Sequence, residues 1–222
     1  MKKVFLVLNT VLVIAVLISG FCYMEFGGLL LKGFASFWFV AIGAVNLIFA
    51  LMNHTDNKKF PLAMLTGLTF SMLGDIFINI DFITGALVFA LGHVCYFTAY
   101  CFLTRFKPTD LIPCGVMFVV STLILTLSPV LEFDSPVFLF VCLFYGLIIS
   151  LMLGKAISNL VREKNAITVL LAVGCALFYF SDLMLLFDVF ADTPRLIGTL
   201  CMLSYYPAQC LLACAGLLRK NN

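Results

Sequence analysis

Eight uninterrupted apolar stretches govern what this chain can fold into. They fall at about 4–24, 33–52, 61–79, 82–103, 111–129, 136–154, 166–187 and 196–218. Each is close to the roughly 20 residues an α-helix needs to cross a bilayer. The runs are continuous, with no polar–apolar alternation, and are about twice as long as a barrel strand requires. Composition agrees: 64% of the 222 residues are hydrophobic and 11% charged, against about 25% charged in a soluble domain. Too few polar groups exist to coat a water-facing surface. The expected fold is all-α, a polytopic membrane bundle of eight helices forming a single integral-membrane domain over 1–222.

The charge distribution orients the bundle. If the helices alternate, Lys2, Lys3, Lys58, Lys59, Arg105, Lys107, Lys155, Arg162, Lys164, Arg219 and Lys220 share one side, and only Lys32 and Arg195 occupy the other. The positive-inside rule then places both termini in the cytoplasm. These residues are topology determinants, so no nucleic-acid partner is needed to explain them. Lys2-Lys3 ahead of an apolar run resembles a signal peptide, and Leu17 to Cys22 faintly resembles a lipoprotein cleavage site. Bulky Phe21 before Cys22 argues for an uncleaved first helix. The Met-Lys-Lys start and short tails fit a bacterial plasma (inner) membrane. The nine cysteines form no CxxC pair and read as small apolar packing residues. His54 falls in a connection and His93 in a helix, which leaves no histidine-rich metal site.

Connections are short, so chemistry must occur within the bundle or at its surface. Nine of the 11 acidic residues are expected in loops or at helix ends. The exceptions are Asp75, in Phe70-Ser71-Met72-Leu73-Gly74-Asp75, and Asp182, in Phe178-Tyr179-Phe180-Ser181-Asp182. A carboxylate in hydrocarbon costs several kcal/mol and normally faces the bundle interior for a purpose; the alternative is an Asp that snorkels to water near a helix end. Asp75 lies four residues before Asn79 and Asp182 five before Phe187, which puts both about 6–8 Å below the outer end. Two carboxyl groups at one depth would differ in protonation and offer an acid and a base. Helix 4 adds His93 and Tyr96, three residues apart on one face. Helix 8 adds Tyr205, Tyr206 and Gln209 around Pro207. For these, hydrogen bonding between helices weighs as much as chemistry, and Asn46 reads as structural. Lys32 and Arg195, alone on the outer side, are candidates to meet a phosphate.

Taken in order, these segments resemble the lysoplasmalogenase (YhhN) family. The matching blocks are Gly67 through Ser71 to Gly74-Asp75; Gly85 with Phe89-Ala90-Leu91-Gly92-His93-Val94-Cys95-Tyr96; Tyr145 with Met152; Gly174 through Ser181-Asp182; and Tyr205-Tyr206-Pro207-Ala208-Gln209. One departure is Lys59-Phe60-Pro61, where the family often has Lys-Pro. The resemblance implies hydrolysis of the vinyl-ether bond of a lysophospholipid substrate within membrane lipid, with Asp75 and Asp182 as the catalytic pair. It implies supporting roles for Ser71, His93, Tyr96, Ser181, Tyr205, Tyr206 and Gln209, and requires no metal or organic cofactor. Two other readings use the same aspartates: an intramembrane aspartyl protease, and a proton-coupled transporter or lipid-binding protein, the latter fitting a weak echo between helices 3–4 and 7–8.

Overall fold

The structure, a computed structural model, describes residues 2–53 and 58–218. His54, Arg219 and Lys220 lie outside the described residues. Eight helices carry the chain: α1 Lys2–Phe26, α2 Leu29–Met52, α3 Lys59–Phe77, α4 Phe82–Leu103, α5 Leu111–Leu127, α6 Pro136–Glu163, α7 Ala166–Phe190 and α8 Leu196–Cys214. Short 3-10 turns, Pro108–Asp110 and Ala215–Leu218, precede α5 and follow α8. All eight spans are long and apolar enough to cross a membrane, and no strand occurs among the described residues. The protein is an integral membrane helix bundle.

The breaks between helices have local causes. Gly27 and Gly28 take φ of 67° and 94°, a left-handed region that glycine enters without a Cβ penalty, and so turn α1 into α2. Asp81 caps α4 by accepting the Thr84 amide at 2.7 Å. Those contacts with Thr84 hold the Asp81 carboxyl below its ordinary range. Asn165 caps α7, exchanging hydrogen bonds with Thr168. Pro136 opens α6, where its missing amide has no helical partner to lose.

Several boundaries differ from the sequence reading, among them the start of α2, which at Leu29 takes Lys32 into the helix. α6 continues to Glu163, nine residues beyond 154, so most of the expected 155–165 connection is helix. Lys155 does not end the helix because its ammonium is fully buried against Asp110, at 2.8 Å. Asp110, a loop position in the sequence reading, is thus a second fully buried carboxylate in addition to Asp75. α7 continues to Phe190, so Asp182 lies eight residues, about 12 Å, before its end.

Packing follows chain order except at α5. α1 packs on α2, α2 on α3, α3 on α4, α4 on α6, α6 on α7 and α7 on α8, while α5 lies against α6. α8 returns to touch α1, α2 and α3, and 67% of its apolar window is buried, against 17% for α1 and 22% for α5. It is the central post. Asn9 and Asn46 exchange two 3.0 Å amide bonds, and Asn46 also donates to the Ala213 carbonyl at 2.8 Å, which ties α1, α2 and α8 together.

The α3–α4 hairpin is drawn tight by small residues. A Cβ on Gly67 would stand 2.6 Å from the Tyr96 ring, one on Gly74 2.6 Å from the Phe89 ring, and one on Gly85 would run into the Ile78 backbone. Contacts therefore step 67, 74, 78 up α3 and 96, 89, 85 down α4. Gly92 fits beside Gly67 and Ser71 between them. Alternating steps of three and four residues are the seam spacing of a coiled coil. With glycine on one side of each contact, the partner's ring can fill the gap. This seam holds Asp75 and His93 in fixed register.

Candidate active site

Asp75 sits in α3 with only 2% of its surface exposed. Its Oδ2 accepts hydrogen bonds from Ser36 Oγ at 2.5 Å and Tyr205 hydroxyl at 2.7 Å. Lys32 Nζ stands 3.8 Å from Oδ1, with 7% of its side chain exposed. α2, α3 and α8 therefore build a closed shell around this carboxylate: one ammonium and two hydroxyls. Buried charge survives in such a place only with this kind of pairing.

Asp182 has different neighbours. Tyr145 hydroxyl, from α6, donates to its Oδ2 at 2.6 Å. His93 Nε2, from α4, lies 2.6 Å from the Tyr145 oxygen and 3.4 Å from Asp182 Oδ2. Because the tyrosine proton points at Asp182, the ring N–H of His93 is the donor to Tyr145. His93 Nδ1 is buried with no hydrogen-bond partner among the described residues. The Asp182 side chain retains 14% exposure.

The two carboxylates have separate hydrogen-bond partners, and side chains of α4 and α8 stand between α3 and α7. Aromatic rings fill the gap: Phe178 contacts Tyr205 at 5.4 Å and His93 at 4.8 Å, and Phe89 borders both Phe178 and Tyr205. The result is two stations on either side of one aromatic cluster.

Only one station faces open space. A cleft lies among α4, α5, α6 and α7. Its walls are apolar, including Phe82, Phe89, Leu125, Cys142 and Leu186, and its polar groups are Ser121, Tyr145, Tyr179 and Asp182. Asp182 is the one acidic residue lining it among the described residues; Asp75 does not line it. Beside the cleft, the α5–α6 connection folds over α7 through the Glu132 amide, which donates to Phe190 O at 2.7 Å. Phe82, Phe133 and Phe138 pack around Phe190 at 4.8–5.6 Å.

The other expected residues divide. Tyr205 belongs to the Asp75 shell. Ser71, Tyr96 and Gln209 form their own string, in which Tyr96 hydroxyl donates to Gln209 Oε1 at 3.0 Å and lies 3.3 Å from Ser71 Oγ. That string touches neither carboxylate among the described residues. Ser181 Oγ lies 3.5 Å from Cys201 Sγ, packing α7 on α8. Tyr206 packs edge-on against Tyr205 at 5.3 Å, its hydroxyl without a hydrogen-bond partner among the described residues. Lys32 turns inward to Asp75, and Arg195 donates to Met24 O at 3.4 Å. Sequence reasoning missed Lys32 and Ser36 as partners of Asp75. Tyr145 had a signal in its place among the ordered blocks, but no role.

This geometry defines a class: a polytopic helical membrane protein with buried, individually partnered carboxylates, one of them on an apolar cleft. Residues 34–216 match the model of the YhhN family, and the chain belongs to that family, the lysoplasmalogenase family. No curated protein and no solved structure shows a match. Family membership is consistent with a membrane lysoplasmalogenase.

Proposed function

We propose that this protein is a membrane-embedded hydrolase cleaving the vinyl-ether bond of a lysoplasmalogen, or of a related ether lysophospholipid, to a fatty aldehyde and a glycerophospho-base. The observation that carries the reading is Asp182 on the apolar cleft, held by Tyr145 and faced by His93. Vinyl ethers are opened by acid. In its protonated form Asp182 gives its proton to the β-carbon, and the ether oxygen shares the resulting positive charge as an oxocarbenium ion. The Asp182 carboxylate, with Tyr145 donating to it, then faces that cation and takes a proton from the water that adds. The hemiacetal so formed collapses to aldehyde and free glycerol hydroxyl, and Asp182 is protonated again. One carboxyl thus serves as acid and then as base. His93 fixes the Tyr145 hydroxyl that holds it.

Asp75, enclosed with Lys32, Ser36 and Tyr205, is a positioning residue in this scheme. It anchors Tyr205, whose ring packs on Phe178 beside His93. An aspartyl protease needs two carboxylates sharing one proton. The separate shells of Asp75 and Asp182 favour the ether chemistry instead.

The test is aldehyde release by purified protein in micelles, with a 1-acyl lysophospholipid as the comparison substrate. Wild-type protein releases aldehyde from lysoplasmalogen, and Asp182→Asn lowers turnover by about 10²–10⁴-fold while still inserting into membranes. Near-normal turnover in Asp182→Asn, or none in the wild type, removes the proposal.

A further inference from the structure

A second concentration of charge occupies the other end of the α5–α6 pair, away from the Asp182 cleft. The Asp110 carboxylate, fully buried, receives Lys155 Nζ at 2.8 Å, Ser158 Oγ at 2.5 Å and the Arg162 guanidinium. Lys155 also donates to Thr104 at 3.2 Å, and Thr104 donates to the Asn159 side chain. Glu163 also acts on Lys155 electrostatically, yet the charges of this end do not balance: Lys155, Arg162, Arg105, Lys107 and Lys164 outnumber Asp110 and Glu163. Lys155 is sealed in, whereas Arg162 keeps 22% of its side chain exposed and also donates to Arg105 O at 3.2 Å. Arg105, Lys107 and Lys164 stand at the same end, and Glu163 is the one further acid in these segments.

Beside Arg162 a groove runs between α5 and α6. Thr109 and Arg162 mark its polar end, and Ile112, Val116 and Val161 wall it. Those three side chains are 68%, 57% and 66% exposed. An uncompensated positive charge at the mouth of an apolar groove is the complement of a phosphate attached to a hydrocarbon chain, and basic pockets between spanning helices recognise anionic headgroups in this way. We propose that the groove binds an anionic phospholipid. Its phosphate lies on Arg162 and Thr109, and the first part of an acyl chain follows Ile112, Val116 and Val161. The site shares no residue with the cleft and is independent of the vinyl-ether reading.

Thermal unfolding of the purified protein in micelles tests it, with phosphatidylglycerol, phosphatidylcholine or water-soluble glycerol phosphate added. Phosphatidylglycerol raises Tm in a saturable way, at a concentration about tenfold below that at which phosphatidylcholine acts, and glycerol phosphate has no effect. Arg162→Gln, which leaves the neutral Lys155–Asp110 pair intact, removes the preference for phosphatidylglycerol. Val116→Trp, which fills the groove and keeps every charge, removes it as well; if Arg162→Gln fails to fold, this variant decides. An undiminished preference in Val116→Trp overturns the proposal, as does equal stabilisation by phosphatidylcholine. Equal stabilisation by glycerol phosphate also overturns it, because the site would then bind a free anion.

Discussion

Neutralising Asp75 while Lys32 remains would leave an ammonium with 7% side-chain exposure and no counter-charge at 3.8 Å. Removing one member of a buried pair costs about 3–5 kcal/mol, whereas replacing both by neutral groups is often close to neutral. Asp75→Asn is therefore expected to lower unfolding stability in detergent by that amount, and Asp75→Asn with Lys32→Met to recover most of it. If the double variant is as unstable as the single one, the pair is not what Asp75 provides. At the other station, Tyr145→Phe deletes one hydroxyl that contacts both Asp182 and His93. A hydrogen bond to a charged group is worth about 1.5–3 kcal/mol, so turnover of lysoplasmalogen is expected to fall about 10–100-fold with KM little changed. An unaltered kcat would show that Tyr145 only packs. Asp75 and Asp182 were visible in the sequence because a carboxylate inside an apolar run has no ordinary explanation there. Their partners were not. Lys32 near a helix end reads as a topology signal, Ser36 carries no signal of its own and Tyr145 stands in a family block without a role; only the meeting of distant helices gives each its role.

The α3–α4 hairpin turns a motif into a register. Gly67, Gly74, Gly85 and Gly92 stand in the blocks that carry the family resemblance, and their work in the structure is close approach. Gly85 is the most demanding of them, since an added Cβ meets the Ile78 backbone, which cannot rotate away as a side chain can. Gly85→Ala is expected to cost about 1–3 kcal/mol, the usual range for overpacking, and to lower aldehyde release by shifting α4, and His93 with it, against α3. Gly115, with open space at its Cβ, supplies the comparison: Gly115→Ala should leave activity unchanged and raise stability by at most about 1 kcal/mol. Equal effects at the two glycines would detach the seam from the site. Spans could be read from composition because a bilayer demands length and apolarity. Their ends could not, because a charged residue stops a helix only when water is its best partner. Lys155 has Asp110 instead, and α6 runs on.

For the whole molecule, the open question with a physical answer is which way the bundle faces. Eight spans return the chain to the side on which it started, so one assignment fixes both termini. Burial sharpens the charge argument. Lys155 and Lys32 are neutralised inside the bundle by Asp110 and Asp75, and neither counts as a free loop charge. What remains still falls on one side: Lys2, Lys3, Lys58, Lys59, Arg105, Lys107, Arg162 and Lys164 at the ends shared by the start of α1, the α2–α3, α4–α5 and α6–α7 connections, against Arg195 before α8. The positive-inside rule counts such residues in short loops and near span ends, so we propose that both termini lie in the cytoplasm and that the Asp182 end of α5–α6 faces outward. A fluorescent protein fused at the C-terminus is then expected to be bright in bacterial cells. Alkaline phosphatase, which folds only after export, is expected to be inactive there and active when fused after Pro194, in the connection between α7 and α8. The opposite pattern would reverse the bundle and place the Arg162 groove in the outer leaflet. Replacing Lys58, Lys59, Arg105 and Lys107 together by Asn is the stricter version. It removes charge from two connections without entering any of the buried shells, and a population of inverted molecules is the expected consequence.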